Sequence, residues 1–501
     1  MFDKILIANR GEIARRLFRA AHELGVRCVA IYSEADEGAA WLSEADERHL
    51  LPGITAAETY LNQKLILEIA ARTGAEAIHP GYGFLSENAA FAAACVAQGL
   101  TFIGPSAAAI EAMGSKAQAR EIAQQAGVPI IPGVDGAGKS LAELQQAAEE
   151  MGYPVLIKAS AGGGGKGMRV VWSADGLSEA IQAAQGEAKS SFGSDHILLE
   201  KFFTELHHVE VQVLGDHHGR LLHLFERECS IQRRHQKIIE ETPSPNVTPE
   251  LREAMTAAAV KLAQAVDYTN AGTVEFVLTS DGRFYLLEMN TRLQVEHPIT
   301  ELVTGIDLAS WQIRIAAGEP LPWTQAELRQ RGHAIECRLY AEDPANQFLP
   351  SIGQIAHYRP ATGPGIRVDD GIASGSQVTP YYDPMLAKVV AWAYDRPEAL
   401  RKMRRALQET VLLGVTTNIP YLLTILEHPA FVAGQTTTGF LSDHLADWQP
   451  NIINNDEIWL AAAALETVLR SSLTGSQAAD TGRERGQFDP WQQQTAWRNA
   501  G

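Results

Sequence analysis

The chain has 501 residues, 46% hydrophobic and 20% charged, which suits about three globular domains and excludes a disordered chain. Lys and Arg number 42 against 60 Asp and Glu, so the formal charge of -18 excludes a general attraction to nucleic acid or an anionic membrane, while allowing a local basic pocket. The four cysteines, Cys28, Cys95, Cys229 and Cys337, lie far apart without a C-x-x-C pair, so neither a disulfide framework nor a structural zinc site is expected.

The first apolar run, residues 5–8, is too short for a signal-peptide core. No stretch reaches about 18 apolar residues, so a cytoplasmic chain without membrane spans is expected. Residues 1–114 alternate strands and helices. Residues 4–8 read as a buried strand, 12–24 as a helix closed by Gly25, and 26–32 as the next strand. A helix at 62–73 precedes further strands at 77–78 and 101–103. Such alternation implies a doubly wound parallel sheet, whose ligands sit at the carboxyl ends of the strands. Asn9-Arg10-Gly11-Glu12 and His79-Pro80-Gly81-Tyr82-Gly83 stand at such ends, although turn chemistry alone accounts for their glycines equally well.

Residues 115–203 differ in texture. A helix from Ser115 leads to a stretch bracketed by Pro129 and Pro132, then a helix at 140–151 and a strand at 154–159. Gly162-Gly163-Gly164-Gly165-Lys166-Gly167 follows, and a strand resumes at 168–171. Six glycine-rich residues between strands make a mobile flap rather than a tight turn. Residues 204–446 mix strands with helices. Residues 447–501 are looser, and 471–488 read as a linker or disordered segment. No internal repeat is present.

Gly133-Val134-Asp135-Gly136-Ala137-Gly138-Lys139-Ser140 satisfies the P-loop pattern G-x-x-x-x-G-K-S in full. Two features argue against that reading. The preceding element contains Pro129 and Pro132, whose missing donors do not suit a central strand. Ser140 and Glu143 are also placed to form a helix capping box.

The densest chemistry lies in residues 273–296. Two β-rich runs, 273–278 and 283–288, flank Asp281-Gly282, a two-residue hairpin signal. With that dipeptide as the loop, Glu275 falls opposite Glu288, their Cβ atoms about 4.5–5.5 Å apart. A loop of three residues with a bulge would offset the pair. Two carboxylates so placed repel unless a proton or cation lies between them, and Mg²⁺ suits such a pair together with substrate phosphates. Glu288, Asn290, Arg292, Gln294 and Glu296 then occupy every even position of the following run, so an extended segment projects them from one edge. Arg292 suits a planar oxyanion held bidentately, and Glu296 is within reach to take a proton from it. Residues 226–237 carry four basic residues and His235 in twelve positions. They read either as a solvated face or, with Lys158 and the glycine flap, as the binding surface for a nucleoside triphosphate.

Gly81-Tyr82-Gly83-Phe84-Leu85-Ser86-Glu87-Asn88, the glycine flap through Gly167-Met168, residues 226–237, and Glu288-Met289-Asn290-Thr291-Arg292-Leu293-Gln294-Val295-Glu296-His297-Pro298 together resemble biotin carboxylase. The likeness covers about residues 1–446, with its motifs in the family's order. It implies an α/β fold of ATP-grasp architecture. Its parts are an N-terminal doubly wound parallel-sheet domain (1–114), a mobile glycine-rich lid domain (115–203) and a C-terminal mixed α+β domain (204–446). The tail, 447–501, resembles the start of the segment that follows biotin carboxylase in acyl-CoA carboxylase α subunits.

The resemblance also implies roles. Lys116, Lys158, Gly163, Gly164, Gly165, Met168, Glu200, Lys201, His208, Gln232 and His235 match ATP-binding positions. Glu275, Glu288 and Asn290 match the Mg²⁺ (or Mn²⁺) site. Arg292, Gln294 and the backbone of Val295 match the bicarbonate site, Glu296 the general base, and Lys237 a residue beside the transferred phosphate. Arg338 matches the residue that stabilises the biotin enolate. The implied reaction is ATP-dependent carboxylation of biotin by bicarbonate through carboxyphosphate. Implied partners are a biotin carboxyl carrier protein or domain, a carboxyltransferase subunit and a second copy in a homodimer, with no nucleic acid or membrane. The chain has no Met-Lys-Met tripeptide, so biotin is expected on a separate carrier. The motifs serve a carboxylase of acyl-CoA, pyruvate or urea alike, and the tail points to acyl-CoA. Another ATP-grasp ligase, of the carbamoyl-phosphate synthetase type, would also make carboxyphosphate, and biotin-dependent ATP cleavage separates the two. A nucleotide-binding regulatory subunit with a dead site is opposed by the intact series Lys237, Glu288, Arg292, Glu296 and Arg338.

Overall fold

The structure is a computed structural model that describes residues 1–159, 168–192, 196–234, 236–450, 460, 464 and 465. Met1–Gln449 forms one compact unit, and Pro450–Gly501 falls almost wholly outside the described residues. So do the glycine flap with Gly163, Gly164 and Gly165, His235, and the stretch 471–488.

Five parallel strands open the chain: β1 (Lys4–Ile7), β2 (Arg27–Ser33), β3 (Glu47–Leu51), β4 (Ala77–His79) and β5 (Thr101–Phe102), in the order β3-β2-β1-β4-β5. Alternate residues of β1 enter different cores. Ile5 and Ile7 pack with the helix Gly11–Glu23, whereas Leu6 packs with the helix Gln63–Thr73. Burial on both faces explains why these strands read as unbroken apolar runs. The edge strand β3 carries Glu47, Arg48 and His49 and alternates in exposure, so it leaves no apolar run to read. The strand order reverses at β1, and the segments after β1 and β4 meet there. Asn9 donates from Nδ2 to the carbonyls of Pro80 and Tyr82, both at 2.7 Å. Gly81 has φ +64°, and a Cβ on it would lie 2.9 Å from Asn9 Nδ2. This glycine therefore serves both the turn and a close approach.

A four-stranded antiparallel sheet follows: β6 (Gly133–Asp135), β7 (Val155–Ala159), β8 (Arg169–Val171) and β9 (Ile197–Lys201), in the order β6-β9-β7-β8. Val155, Ile157 and Leu199 pack against Leu144 and Ile181 of the helices Leu141–Met151 and Leu177–Phe192. The P-loop look-alike is here an edge strand and a helix cap. β6 is the outermost strand, and Ser140 and Glu143 form the capping box in full.

The largest sheet has eight antiparallel strands: β10 (Leu206–Gly215), β11 (Leu221–Arg233), β12 (Gln236–Thr242), β13 (Asn270–Thr279), β14 (Phe284–Asn290), β15 (His333–Tyr340), β16 (Ile366–Asp370) and β17 (Met385–Ala393). Their order is β14-β13-β10-β11-β12-β15-β17-β16. One face is apolar. Val209, Val211, Val274 and Phe276 pack on Met255 and Leu262 of the helix Pro249–Gln264. Farther along, Ile335, Cys337 and Val389 pack on Leu400 and Met403 of the helix Arg396–Glu409. The alternate residues make the other face: Glu210, Gln212, Arg227, Glu275, Glu336, Arg338 and Lys388, all buried. Burying that many charges is costly unless they are paired, so this face is where a site is to be sought. Among the described residues no helix is long and apolar enough to cross a membrane. The four cysteines are buried and unpaired.

Candidate active site

The β13–β14 hairpin places Glu275 opposite Glu288, but by a different route from a two-residue loop. Near the turn the pairs are Phe276↔Leu286 and Leu278↔Phe284, and Thr279 N donates to the Arg283 carbonyl at 2.8 Å. The loop is therefore residues 280–282, closed by Gly282 at φ +82° as three-residue hairpins require. A bulge at Leu287 adds one residue to β14 and restores Glu275↔Glu288 and Thr273↔Asn290. The longer loop and the bulge cancel.

The expected extended run beyond Glu288 is corrected by the structure. β14 ends at Asn290, residues 295 and 296 lie in a turn, and Glu296 precedes the helix His297–Thr304. Pro298 in the first helical turn fixes where that helix starts, so the chain must bend before it. Leu293 still enters the core, and Gln294 and Glu296 still reach the polar face. Val295 does not follow the alternation: it lines a cavity, and its carbonyl accepts from Lys388 Nζ at 2.9 Å.

Lys237 is the hub. Its ammonium donates to Glu210, to Glu275 at 2.8 Å, to Glu296 at 2.7 Å and to the Gln294 amide oxygen at 3.2 Å. Burial alone would lower its pKa, but Glu210, Glu275 and Glu296 outweigh it and hold the lysine well above its ordinary value. Glu296 is 1% exposed. It accepts from Lys237 on one oxygen and from Arg338 Nη2, at 3.0 Å, on the other. Burial pushes its carboxyl up, yet Lys237, Arg338 and Arg227 prevail and keep it well below the usual range, hence ionised. Arg338 is itself held by Glu240 at 2.6 Å.

Arg292 donates from Nε to Glu87 at 2.9 Å and from Nη2 to the Asn290 oxygen at 3.0 Å. Arg292, Val295 and Arg338 open, with Tyr82, Gly83 and Tyr340, onto a cavity of about 680 Å³. This cavity lies at the carboxyl ends of β1 and β4, where the strand order reverses.

The proposed nucleotide residues divide. His208 lies 3.0 Å from Glu275 and so belongs to the Lys237 network. Burial lowers its pKa, but Glu275 reverses this and raises it. Gln232 is the cross-strand partner of Lys237. Lys158 pairs with Glu200 at 2.5 Å on neighbouring strands of the four-stranded sheet, with Arg120 3.4 Å from the same carboxylate. Lys116, at the first turn of its helix, and Met168 are exposed. Lys201 is turned elsewhere: its ammonium donates to the carbonyls of Gly152 and Tyr153, at 2.8 and 3.0 Å.

Sequence reasoning did not assign Glu87, Glu210, Arg227, Glu240 or Lys388. Arg227 is fully buried and donates to Glu210 at 2.5 Å, to Gln212 at 2.7 Å and to Thr300 at 2.9 Å. The basic run 226–237 is thus not one cationic surface. Arg227 is locked inside, Lys237 enters the hub, and Arg233 pairs with Glu342 and stacks on Phe348. Strict alternation of Glu210 and Gln212 with Val209, Val211 and Val213 was the available signal for a buried polar face.

The acids fit a hard divalent cation. Glu275 is ringed by Lys237, His208, Asn290 and Gln294 and stays ionised. Glu288, opposite it, accepts no hydrogen bond among the described residues. Although the residue is exposed, desolvation of its carboxyl and then repulsion from Glu275 raise it. A cation beside Glu288 removes that penalty. The Asn290 oxygen completes the donor set by sharing Arg292.

Three family descriptions match: "Biotin carboxylase, N-terminal domain" over residues 1–110, "Carbamoyl-phosphate synthase L chain, ATP binding domain" over 115–324, and "Biotin carboxylase C-terminal domain" over 336–443. A biotin carboxylase of Halalkalibacterium halodurans is 52% identical over 445 residues, covering 89% of this chain and 98% of that protein. The mitochondrial methylcrotonoyl-CoA carboxylase subunit alpha of Dictyostelium discoideum is 50% identical over 467 residues, covering 92% of this chain but only 66% of that protein. Among solved structures, the biotin carboxylase domain dimer of Hydrogenobacter thermophilus 2-oxoglutarate carboxylase, in complex with MgADP, ADP and bicarbonate, superposes with a TM-score of 0.83 at 48% identity, covering 89% of this chain and 98% of that one. The three domain matches, in order, and the near-complete coverage of the Halalkalibacterium relative lead to one conclusion: this chain belongs to the biotin carboxylase family.

Proposed function

We propose that the chain cleaves ATP, activates bicarbonate as carboxyphosphate and carboxylates a ureido nitrogen of biotin borne on a separate carrier. The observation that carries this reading is the cavity on which Arg292, Val295 and Arg338 converge, with an ionised Glu296 clamped between Lys237 and Arg338. The MgADP and bicarbonate bound by the Hydrogenobacter relative agree with it.

Each residue then has a physical task. Arg292, steadied by Glu87 and Asn290, keeps outer N–H groups for a planar anion. Glu296 is a weak base while both cations hold it. An entering anion competes for Lys237 and Arg338, and each cation that turns away raises the basicity of Glu296, so proton removal is coupled to substrate binding. Lys237 follows the negative charge that develops on the transferred phosphoryl group, and Arg338 meets the charge on the ureido oxygen. Glu275, Glu288 and Asn290 would hold Mg²⁺ or Mn²⁺, which when bound offsets phosphate charge. Lys158, Glu200, His208 and Gln232 flank the triphosphate, together with Lys116 and Met168; His235 and the flap glycines 163–165, also assigned to it, lie outside the described residues. Lys201 serves through its backbone, since its ammonium is engaged.

We place these parts in domains spanning residues 1–114, 115–203 and 204–446. A homodimer, a biotinylated carrier and a carboxyltransferase are the partners proposed, and acyl-CoA the acceptor class. Four free buried cysteines support a reducing, cytoplasmic setting.

Two substitutions test the nucleotide assignment. Lys158→Ala weakens ATP binding strongly, while Lys139→Ala leaves it nearly unchanged, because Lys139 belongs to the turn before a capping box. Nucleotide titration of both variants checks this, and a large loss at Lys139 alone contradicts it. Deleting residues 450–501 leaves biotin-dependent ATP cleavage intact, since every assigned residue precedes Pro450. A folded truncation without that activity refutes the assignment.

A further inference from the structure

One pair of acids on the polar face has no task in the mechanism above. Glu240 on β12 and Glu336 on β15 are direct cross-strand partners, and both are fully buried. Residues so paired point to the same side of a sheet, with Cβ atoms about 4.5–5.5 Å apart. Among the described residues, Glu240 spends one oxygen on Arg338, at 2.6 Å, and its other oxygen has no hydrogen-bond partner. Neither oxygen of Glu336 has one. Three orphaned carboxyl oxygens therefore lie on directly paired residues of one buried face. Two ionised carboxylates in that position would be both unsatisfied and mutually repelling.

We propose that Glu240 and Glu336 share a single proton and act together as the positioning pair for Arg338. The O–H of Glu336 donates to the free oxygen of Glu240, whose other oxygen grips the guanidinium. The pair then carries one negative charge rather than two. Arg338 keeps Glu240 on one side, reaches Glu296 at 3.0 Å on another, and presents its remaining edge to the cavity. The surroundings leave little else to neutralise a second charge. Lys388, facing from β17, is committed to the Val295 carbonyl and to Glu12. Lys237, from β12, is committed to the hub, and Glu296 adds a further negative charge from the turn before its helix. Tyr340 and the Cys337 thiol on β15 and the Cys229 thiol on β11 are further titratable neighbours. Burial, foremost, raises Glu336 well above the ordinary carboxyl range, and raises Glu240 to about 7.

The positioning role rests on the proposed role of Arg338 toward biotin, whereas the shared proton does not. A group raised in this way keeps its proton at neutral pH and loses it as pH rises. Loss of that proton adds a second negative charge beneath Arg338 and draws the guanidinium away from the cavity. Biotin-dependent turnover should therefore fall on the alkaline side.

The test has two arms. In the resting protein, without substrates, infrared difference spectroscopy between wild type and Glu336→Gln should show the carbonyl band of a protonated carboxylic acid that the variant lacks. In kinetics, Glu336→Leu removes the donor and should raise KM for biotin roughly tenfold. Glu336→Gln restores a donor that cannot ionise, so it should recover most of that loss and abolish the alkaline fall. The shared proton is overturned if wild type shows no such band or Glu336→Gln retains it. The positioning role is overturned if the alkaline limb of Glu336→Gln coincides with that of wild type, or if the protein turns over no biotin while the band is present. Should Glu336→Leu not fold, the wild-type and Gln comparison still decides.

Discussion

Replacing Glu296 by glutamine should leave ATP binding intact and lower bicarbonate-dependent turnover by about 10²–10⁴-fold, the usual contribution of a general base. Glutamine preserves the shape, and its one carbonyl oxygen can still accept from Lys237 or Arg338, which sit at 2.7 and 3.0 Å from the two native carboxylate oxygens, while its NH2 takes the other place. What it loses is the ability to take a proton. Nucleotide titration together with bicarbonate-dependent ADP release separates the two. Near-native turnover in a variant that binds ATP normally would remove Glu296 from the role of base.

Lys237→Gln should fail in a different way, through stability as well as rate. The lysine is the cation shared by Glu210, Glu275 and Glu296, which are all buried. Removing one partner of a buried ion pair typically costs about 3–5 kcal/mol, because the remaining charges are left uncompensated. Arg227 and Arg338 still hold Glu210 and Glu296, which keeps the loss near the lower end of that range. Without Lys237, Glu210, whose folded-state pKa burial already holds above its ordinary value, is raised further by Glu296 and Glu275. A carboxyl raised in this way destabilises the fold at high pH and ceases to do so as pH falls through its folded pKa. The deficit against wild type should therefore be larger at pH 8 than near pH 5. Chemical denaturation at both pH values checks it, and an equal deficit contradicts the shared-cation account.

The parallel N-terminal sheet was legible because strands buried on both faces read as continuous apolar runs, as residues 4–8 and 26–32 do. β3 was not, because an edge strand carrying Glu47, Arg48 and His49 has no apolar run. The Glu275–Glu288 pairing was legible as a register, yet the three-residue loop and the Leu287 bulge that produce it were not. Either departure alone would have separated the pair, and neither marks the sequence beyond an ordinary Asp-Gly. The alternation through Gln294 was legible until Pro298 forced a turn, after which Val295 left the core. The hub itself was half visible. Lys237, Glu275, Glu288, Arg292 and Glu296 stood out through motif residues. Glu210 did not, since a charged residue alternating with valines reads as the solvated side of a strand, and Arg227 between Glu226 and Glu228, like Glu240 beside Glu241, reads as part of a solvated charge run. Only the sheet's second covering, by the helix His297–Thr304 and the turn before it, makes that side an interior.

The central claim is that ATP cleavage by this chain is tied to carboxyl transfer onto biotin. The most direct measurement supplies purified protein with MgATP, isotopically labelled bicarbonate and free biotin, then follows ADP release and label in biotin together. The account predicts slow ADP release that biotin accelerates, with label appearing on the ureido nitrogen in step with that release. ADP release that requires bicarbonate but ignores biotin, with no label in the biotin recovered, would contradict it and place the chain with ATP-grasp ligases that pass carboxyphosphate to another acceptor.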